Sequence, residues 1–118
     1  MEIKIIKGDI TELKVEAIVN PANSNMTMGG GLSGIIRRVG GWEVEKEAKR
    51  FAPVKVREAV VTSAGKLPVR YIIHAPTMDK PTQKFTSQNS RLAMRAILEC
   101  AEKNRISEVA VPGLGTGA

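Results

Sequence analysis

The sequence predicts an α/β fold: a central mixed sheet flanked by helices in a three-layer α/β/α arrangement. Three observations predict it. Strand-like and helix-like stretches follow one another in the order β-β-α-α-β-β-α-β. The run Val15-Glu16-Ala17-Ile18-Val19 is apolar almost throughout, as expected of a strand covered on both faces. Of the eleven glycines, six fall between Gly29 and Gly41 and three in the last six residues, and both clusters follow a predicted strand.

The elements can be justified in order. Residues 2–7 alternate polar and apolar, with Ile3 and Ile5 on one face, and read as the first strand. Gly8-Asp9-Ile10-Thr11 ends it. Asp9 stands three residues before Glu12, so it can cap a short helical turn, with Glu12 reaching back. It can equally accept a hydrogen bond from a ligand amine at a strand end. Residues 15–19 form the second strand, and a long polar loop, Asn20 to Gly34, follows. Leu32, Ile35, Ile36 and Val39 then recur at helical spacing, and Gly40-Gly41 stops that helix. In the next helix Val44, Ala48, Phe51 and Ala52 share one face and a Glu45/Lys49 pair the other, until Pro53. Strands are expected at 58–63 and 69–75, joined by a turn at 64–68. A polar loop covers 76–84. A helix runs from about Thr86 to Lys103, with Leu92, Ala93, Ala96, Ile97, Cys100 and Ala101 inward. The last strand is 107–112.

The chain has 118 residues, enough for one domain, with 42% hydrophobic and 25% charged residues, ordinary values for a globular chain. No apolar run approaches the roughly 20 residues of a membrane helix. Met1 to Lys7 is too short and too charged for a signal peptide. One cysteine, Cys100, excludes an internal disulfide and fits a reducing cytoplasm, where it is expected to pack on the buried side of its helix. Net charge is +6, with a pI near 9.8, which favours anionic partners without selecting among them. Aromatic residues are only 3% of the chain, too few for a base-stacking platform.

Both glycine clusters lie where α/β sheets bind ligands, beyond the carboxyl ends of strands. Backbone N–H groups there can approach phosphate oxygens, and a helix N-terminus behind them favours negative charge. Gly29-Gly30-Gly31-Leu32-Ser33-Gly34 satisfies G-x-G-x-x-G by letters but lies some ten residues beyond its strand. No Lys-Ser or Lys-Thr follows as a P-loop requires, so neither a Rossmann domain nor a P-loop site is supported. With one histidine and one cysteine, a His/Cys metal site is excluded, and no cofactor is implied. His74, at the end of an apolar strand, reads as a packed, hydrogen-bonded residue. Ser33, Ser63 and Ser90 show no local sign of a triad. Asn20 and Asn23 carry amides that can fix a sugar hydroxyl, orient a water or build a turn.

Taken together, Gly8-Asp9-Ile10-Thr11, Ile18-Val19-Asn20-Pro21-Ala22-Asn23-Ser24, Gly29-Gly30-Gly31-Leu32, Gly40-Gly41, Tyr71-Ile72-Ile73-His74-Ala75 and Val111-Pro112-Gly113-Leu114-Gly115-Thr116-Gly117 resemble a macrodomain along the whole chain. The resemblance implies a cleft for ADP-ribose or an ADP-ribosylated protein. Asp9 would accept from the adenine amino group, with Ile10 beside it. Asn23 would lie at the distal ribose and is the candidate for orienting a water, and Ala22 would be among the ligand-binding residues. Gly30, Gly31, Leu32 and Ser33 would form the first phosphate loop, and Gly113, Gly115, Thr116, Gly117 and Ala118 the second.

The resemblance also implies an alternative: hydrolysis, releasing ADP-ribose from a protein side chain or from O-acetyl-ADP-ribose. One hydrolase branch has aspartate where this chain has Ser33, and serine is no carboxylate base at neutral pH, which favours binding. RNA or poly(ADP-ribose) binding is a weaker alternative. Macrodomains continue past the second loop through a helix and a strand that lies between the first strand and the one ending at Pro112. The chain is therefore expected to be C-terminally incomplete, with unpaired backbone inside the sheet, and to be a fragment, to be completed by a second chain, or to have its fold rearranged or swapped between copies.

Overall fold

A computed structural model describes residues 1–7, 9–78 and 87–113. Among the described residues five strands form one sheet: β1 (Glu2–Ile6), β2 (Ala17–Asn23), β3 (Val60–Ser63), β4 (Tyr71–Met78) and β5 (Glu108–Pro112), in the order β1-β5-β2-β4-β3. All neighbours are parallel except β3 and β4, so the sheet is mixed as predicted. The helices are α1 (Gly31–Gly40), α2 (Trp42–Lys49) and α3 (Ser87–Lys103), with a short 3-10 turn at Ile10–Glu12.

Strand parity sorts the core into two faces. Ala17 and Val19 of β2, Ile73 and Ala75 of β4, and Val109 and Val111 of β5 meet Ala93, Ile97 and Cys100 of α3. Ile18, Ile72 and Ala110 point the other way, towards Ile36 of α1 and Val44 of α2. Three layers result. Cys100 packs as expected, and burial pushes its thiol pKa up.

Four expectations are corrected. The second strand does not end at Val19. It continues through Asn20-Pro21-Ala22 to Asn23, because β4 also runs on to Met78 and pairs with it residue by residue, with one bulge at Ala22/Asn23. The sheet has no open backbone between the first and last strands. β1 pairs directly with β5 over five residue pairs, from Glu2↔Glu108 to Ile6↔Pro112, and Lys4 Nζ stands 3.1 Å from the Glu108 carboxylate.

The inward line of α1 is Ser33, Ile36 and Gly40, not Ile35 and Val39, which are exposed. Gly40 sets this rotation. It lies under the Gly65 turn, where a Cβ on Gly65 would come within 2.1 Å of the Gly40 carbonyl oxygen. Gly65 also has φ +59°, a conformation glycine adopts without a Cβ penalty. Finally, Glu45 is buried rather than outward, and Phe51 lies beyond the end of α2 with nearly half its surface exposed.

Candidate functional site

β2 and β5 are hydrogen-bonded neighbours, yet their ladder holds only two residue pairs, Ala17↔Val109 and Ile18↔Ala110. Beyond it the carboxyl halves of the two strands lack ladder partners in each other. On the β2 side the chain turns at Asn23 and enters α1 through Gly29 and Gly30. On the β5 side it leaves through Gly113. Gly115, Thr116, Gly117 and Ala118, expected in the second loop, lie outside the described residues.

The β2-side loop is built by its own side chains. Asn23 Oδ1 accepts the Asn25 N–H at 2.9 Å, while its Nδ2 donates to the Thr27 carbonyl and hydroxyl at 3.1 and 2.9 Å. The Asn23 amide thus folds the turn that carries it, and Ala22 beside it is buried. Further along, the Glu45 carboxylate accepts the Met28 N–H at 2.6 Å and lies 3.4 Å from Arg37 Nη1 and 4.0 Å from Lys49 Nζ. A buried carboxylate on α2 therefore clamps the stem of the glycine run. The sequence signal for it was that Glu45 sits beside Val44 and three residues before Ala48, at the border of the buried face. The i,i+4 partner Lys49 made it read as a surface pair.

Gly30 stands at the N-cap of α1 in an extended conformation, and among the described residues no side chain caps the helix. The N–H groups of Gly31, Leu32 and Ser33, in the first turn, have no intrahelical acceptors by the geometry of a helix start. The first turn closes with Gly34 donating to the Gly30 carbonyl at 3.0 Å. Gly31 has φ +55°, which favours glycine on backbone grounds. Gly29 and Gly30 differ: neither has a positive φ, and among the described residues a Cβ on either would meet no atom within 4 Å beyond its chain neighbours. A cavity of about 480 Å³ opens there, lined by Gly29, Gly30, Gly31, Gly34, Ile35, Arg37, Arg38 and Trp42. Arg37 lies over the Trp42 ring, 4.2 Å from its centroid.

Behind the loop, on the α1 face of the sheet, runs a file of buried polar side chains. Ser33 Oγ donates to Asn20 Oδ1 at 2.7 Å. That orients the amide so that Asn20 Nδ2 donates to His74 Nδ1 at 3.0 Å, its register partner on β4. The ring proton then sits on Nε2 and is donated to Thr62 Oγ1 at 2.8 Å, and the Thr62 hydroxyl donates to the Ser63 carbonyl at 2.9 Å. Every donor in the file points the same way. Burial holds His74 neutral, with its pKa pushed down to about 4. Among the described residues no buried side-chain polar atom is left without a partner. His74 is therefore packed and hydrogen-bonded, as expected, and the Ser33 hydroxyl donates into the interior.

The remaining expected residues are separate. Asp9 caps the 3-10 turn, its Oδ1 accepting the Thr11 N–H at 2.8 Å, and hydrogen bonds from the Thr11 side chain and backbone hold its carboxyl below the usual range. Among the described residues Oδ2 has no partner, so the cap leaves one acceptor on the exposed side. Ile10 is buried among Ile18, Met28 and Ile36. Leu32 packs half-buried against the same group. Among the described residues, the cavity at the glycine run brings together Gly30 and Gly31 but not Asp9, Ile10, Ala22, Asn23, Leu32, Ser33 or Gly113. Nor do the described residues hold any His, Cys, Asp and Glu cluster suited to a metal ion.

A three-layer α/β/α sheet with a glycine-lined helix start beyond the carboxyl end of a strand defines the class of fold as an α/β domain. A sequence model of the Macro domain matches residues 19–118, and the chain belongs to that family. An uncharacterised protein of Aquifex aeolicus is 50% identical over 117 residues, which cover 99% of this chain and 71% of that protein. One from Aeropyrum pernix is 48% identical over 115 residues, 98% of this chain and 61% of the relative. In fold, the chain matches the macrodomain of Thermus aquaticus DarG with a TM-score of 0.84 at 23% identity, covering 98% and 79% of the two chains. The Trypanosoma brucei macrodomain in complex with ADP-ribose matches with a TM-score of 0.78 at 31% identity, over 93% of this chain and 46% of that one.

Proposed function

We propose that this chain binds ADP-ribose, free or attached to a protein, with the diphosphate at the start of α1. The observation that carries the reading is the pair Gly29 and Gly30. Among the described residues neither backbone strain nor a packed neighbour calls for glycine there, and the space that the missing side chains leave supports a ligand phosphate as its occupant. The uncapped N–H groups of the first turn favour an anion in that space. The ADP-ribose complex of the Trypanosoma brucei relative supports the same ligand. Asp9 Oδ2 is the acceptor offered to the adenine amino group.

Two features favour binding over hydrolysis. Ser33 donates its proton to Asn20, and the Asn23 amide is engaged in its own turn, so neither presents a free base to a water. RNA binding is disfavoured by the scarcity of aromatic side chains.

The test is calorimetric titration of ADP-ribose into the wild type and Gly30→Val. At φ −150° valine is tolerated, so the unfolding free energy should move by less than about 1 kcal/mol. Affinity should fall by more than about tenfold, the cost of a side chain in the phosphate space. Equal affinity in the two proteins would place the ligand elsewhere. A release assay on an ADP-ribosylated protein separates binder from hydrolase, the binder giving no turnover.

A further inference from the structure

The cavity does not end at the glycine run. It extends along the outer side of α1 to a shelf made by Ile35, Arg37, Arg38 and Trp42. The shelf combines three properties. Trp42, the only tryptophan of the chain, is 70% exposed, and Ile35 beside it is 39% exposed. Arg37 is already used: it pairs with Glu45 and lies over the Trp42 ring, which holds the ring in place. Arg38 is exposed and has no ion-pair partner among the described residues. Both arginines lie in the last turn of α1, where they offset the helix dipole. That role needs a positive charge but not an exposed tryptophan beside it.

We propose that this shelf is a docking surface for an acidic segment of the protein that carries the ADP-ribose. The inference rests on the ADP-ribose reading of the glycine run and adds the polypeptide to it. Charge complementarity names the partner: a guanidinium unpaired among the described residues, on a chain of net charge +6, calls for carboxylates. Ile35 and the Trp42 ring offer apolar area to the aliphatic part of the same segment. A peptide is favoured over nucleic acid because the shelf holds a single aromatic ring, one face of which Arg37 covers, and successive bases need successive rings. Covalent attachment to the ADP-ribose makes the second contact intramolecular, so even a weak shelf raises affinity.

The experiment measures four probes by calorimetry: free ADP-ribose, an ADP-ribosylated peptide with acidic flanks, the same peptide with neutral flanks, and the unmodified acidic peptide. Each is titrated into the wild type, Arg38→Glu and Trp42→Ala, both changes lying at exposed positions. The wild type should bind the modified acidic peptide about fivefold tighter than the neutral one, the scale of one or two exposed ion pairs. Arg38→Glu should abolish that preference, read as the ratio between the two modified peptides, which cancels any effect of the substitution on the ADP-ribose they share. Trp42→Ala should reduce the preference.

If the wild type binds both modified peptides alike, the shelf is overturned while the ADP-ribose reading stands. If free ADP-ribose does not bind but the unmodified acidic peptide binds in an Arg38-dependent way, the shelf stands and that reading falls. If no probe binds, both fall. Displacement of the acidic peptide by a single-stranded oligonucleotide at similar concentration would overturn the peptide assignment.

Discussion

His74→Ala is expected to destabilise the protein by about 3 kcal/mol, read as a lower urea midpoint at pH 7.5. The substitution opens a hole in a fully buried position and takes the acceptor from Asn20 Nδ2 and the donor from Thr62 Oγ1 together. A loss below about 1 kcal/mol would mean that water or rearrangement replaces the ring. The same residue gives stability a pH dependence of known sign. Burial depresses its folded pKa to about 4, below the ordinary histidine value of 6.5. Between those values the unfolded chain takes a proton that the folded chain refuses, so stability is full above about pH 6.5 and falls as pH drops towards 4. By pH 5 the loss should be about 2 kcal/mol. The carboxyls of Asp9, Glu16 and Glu108, all held below their usual values, add losses at still lower pH. Denaturant curves at pH 7.5 and 5 test this. In His74→Ala the difference between those two pH values should disappear, and its persistence would assign the slope to other groups.

Glu45→Ala is expected to cost about 2–3 kcal/mol and to weaken ADP-ribose binding by about tenfold or more. The carboxylate is 7% exposed and holds the Met28 N–H, Arg37 and Lys49 at once. Without it the stem of the glycine run loses its clamp, and Arg37 loses the partner that keeps it over Trp42. Glu45→Gln keeps an acceptor for Met28 while removing the charge, and should recover most of the binding. Should Glu45→Gln bind as poorly as Glu45→Ala, charge rather than the hydrogen bond to Met28 is what positions the loop.

The layers and the strand faces were legible in the sequence because they follow from period. Ile18 and Ile72 face one way and Val19 and Ile73 the other, as alternation demands. The Asp9 cap and the packed His74 were legible from local rules. The failures share a cause: each was decided by a contact distant in sequence. Asn20-Pro21 looks like a turn, and only its pairing with His74-Ala75 makes it strand. Ile35 and Val39 fit a helical stripe, but the close approach of Gly40 to the Gly65 turn rotates them outward. Glu45 looks like half of a surface pair until Met28 is brought against it across seventeen residues. The expectation of an unpaired gap beside the first strand came from family pattern alone, and the β1–β5 ladder closes it. The glycine run was legible as a loop. That Gly29 and Gly30 have no packed neighbour among the described residues was not, since glycines that serve a turn and glycines that make room read alike.

The two-pair ladder between β2 and β5 has a mechanical meaning. β2, β4 and β3 are joined by long ladders, as are β1 and β5, but the two groups meet along a short seam, secured at its base by Glu16 accepting the Ser107 N–H at 2.7 Å. Both cores cross that seam, Ala17 and Val19 packing with Val109 and Val111 on one face and Ile18 with Ala110 on the other, so side-chain packing rather than the backbone ladder holds the two groups together.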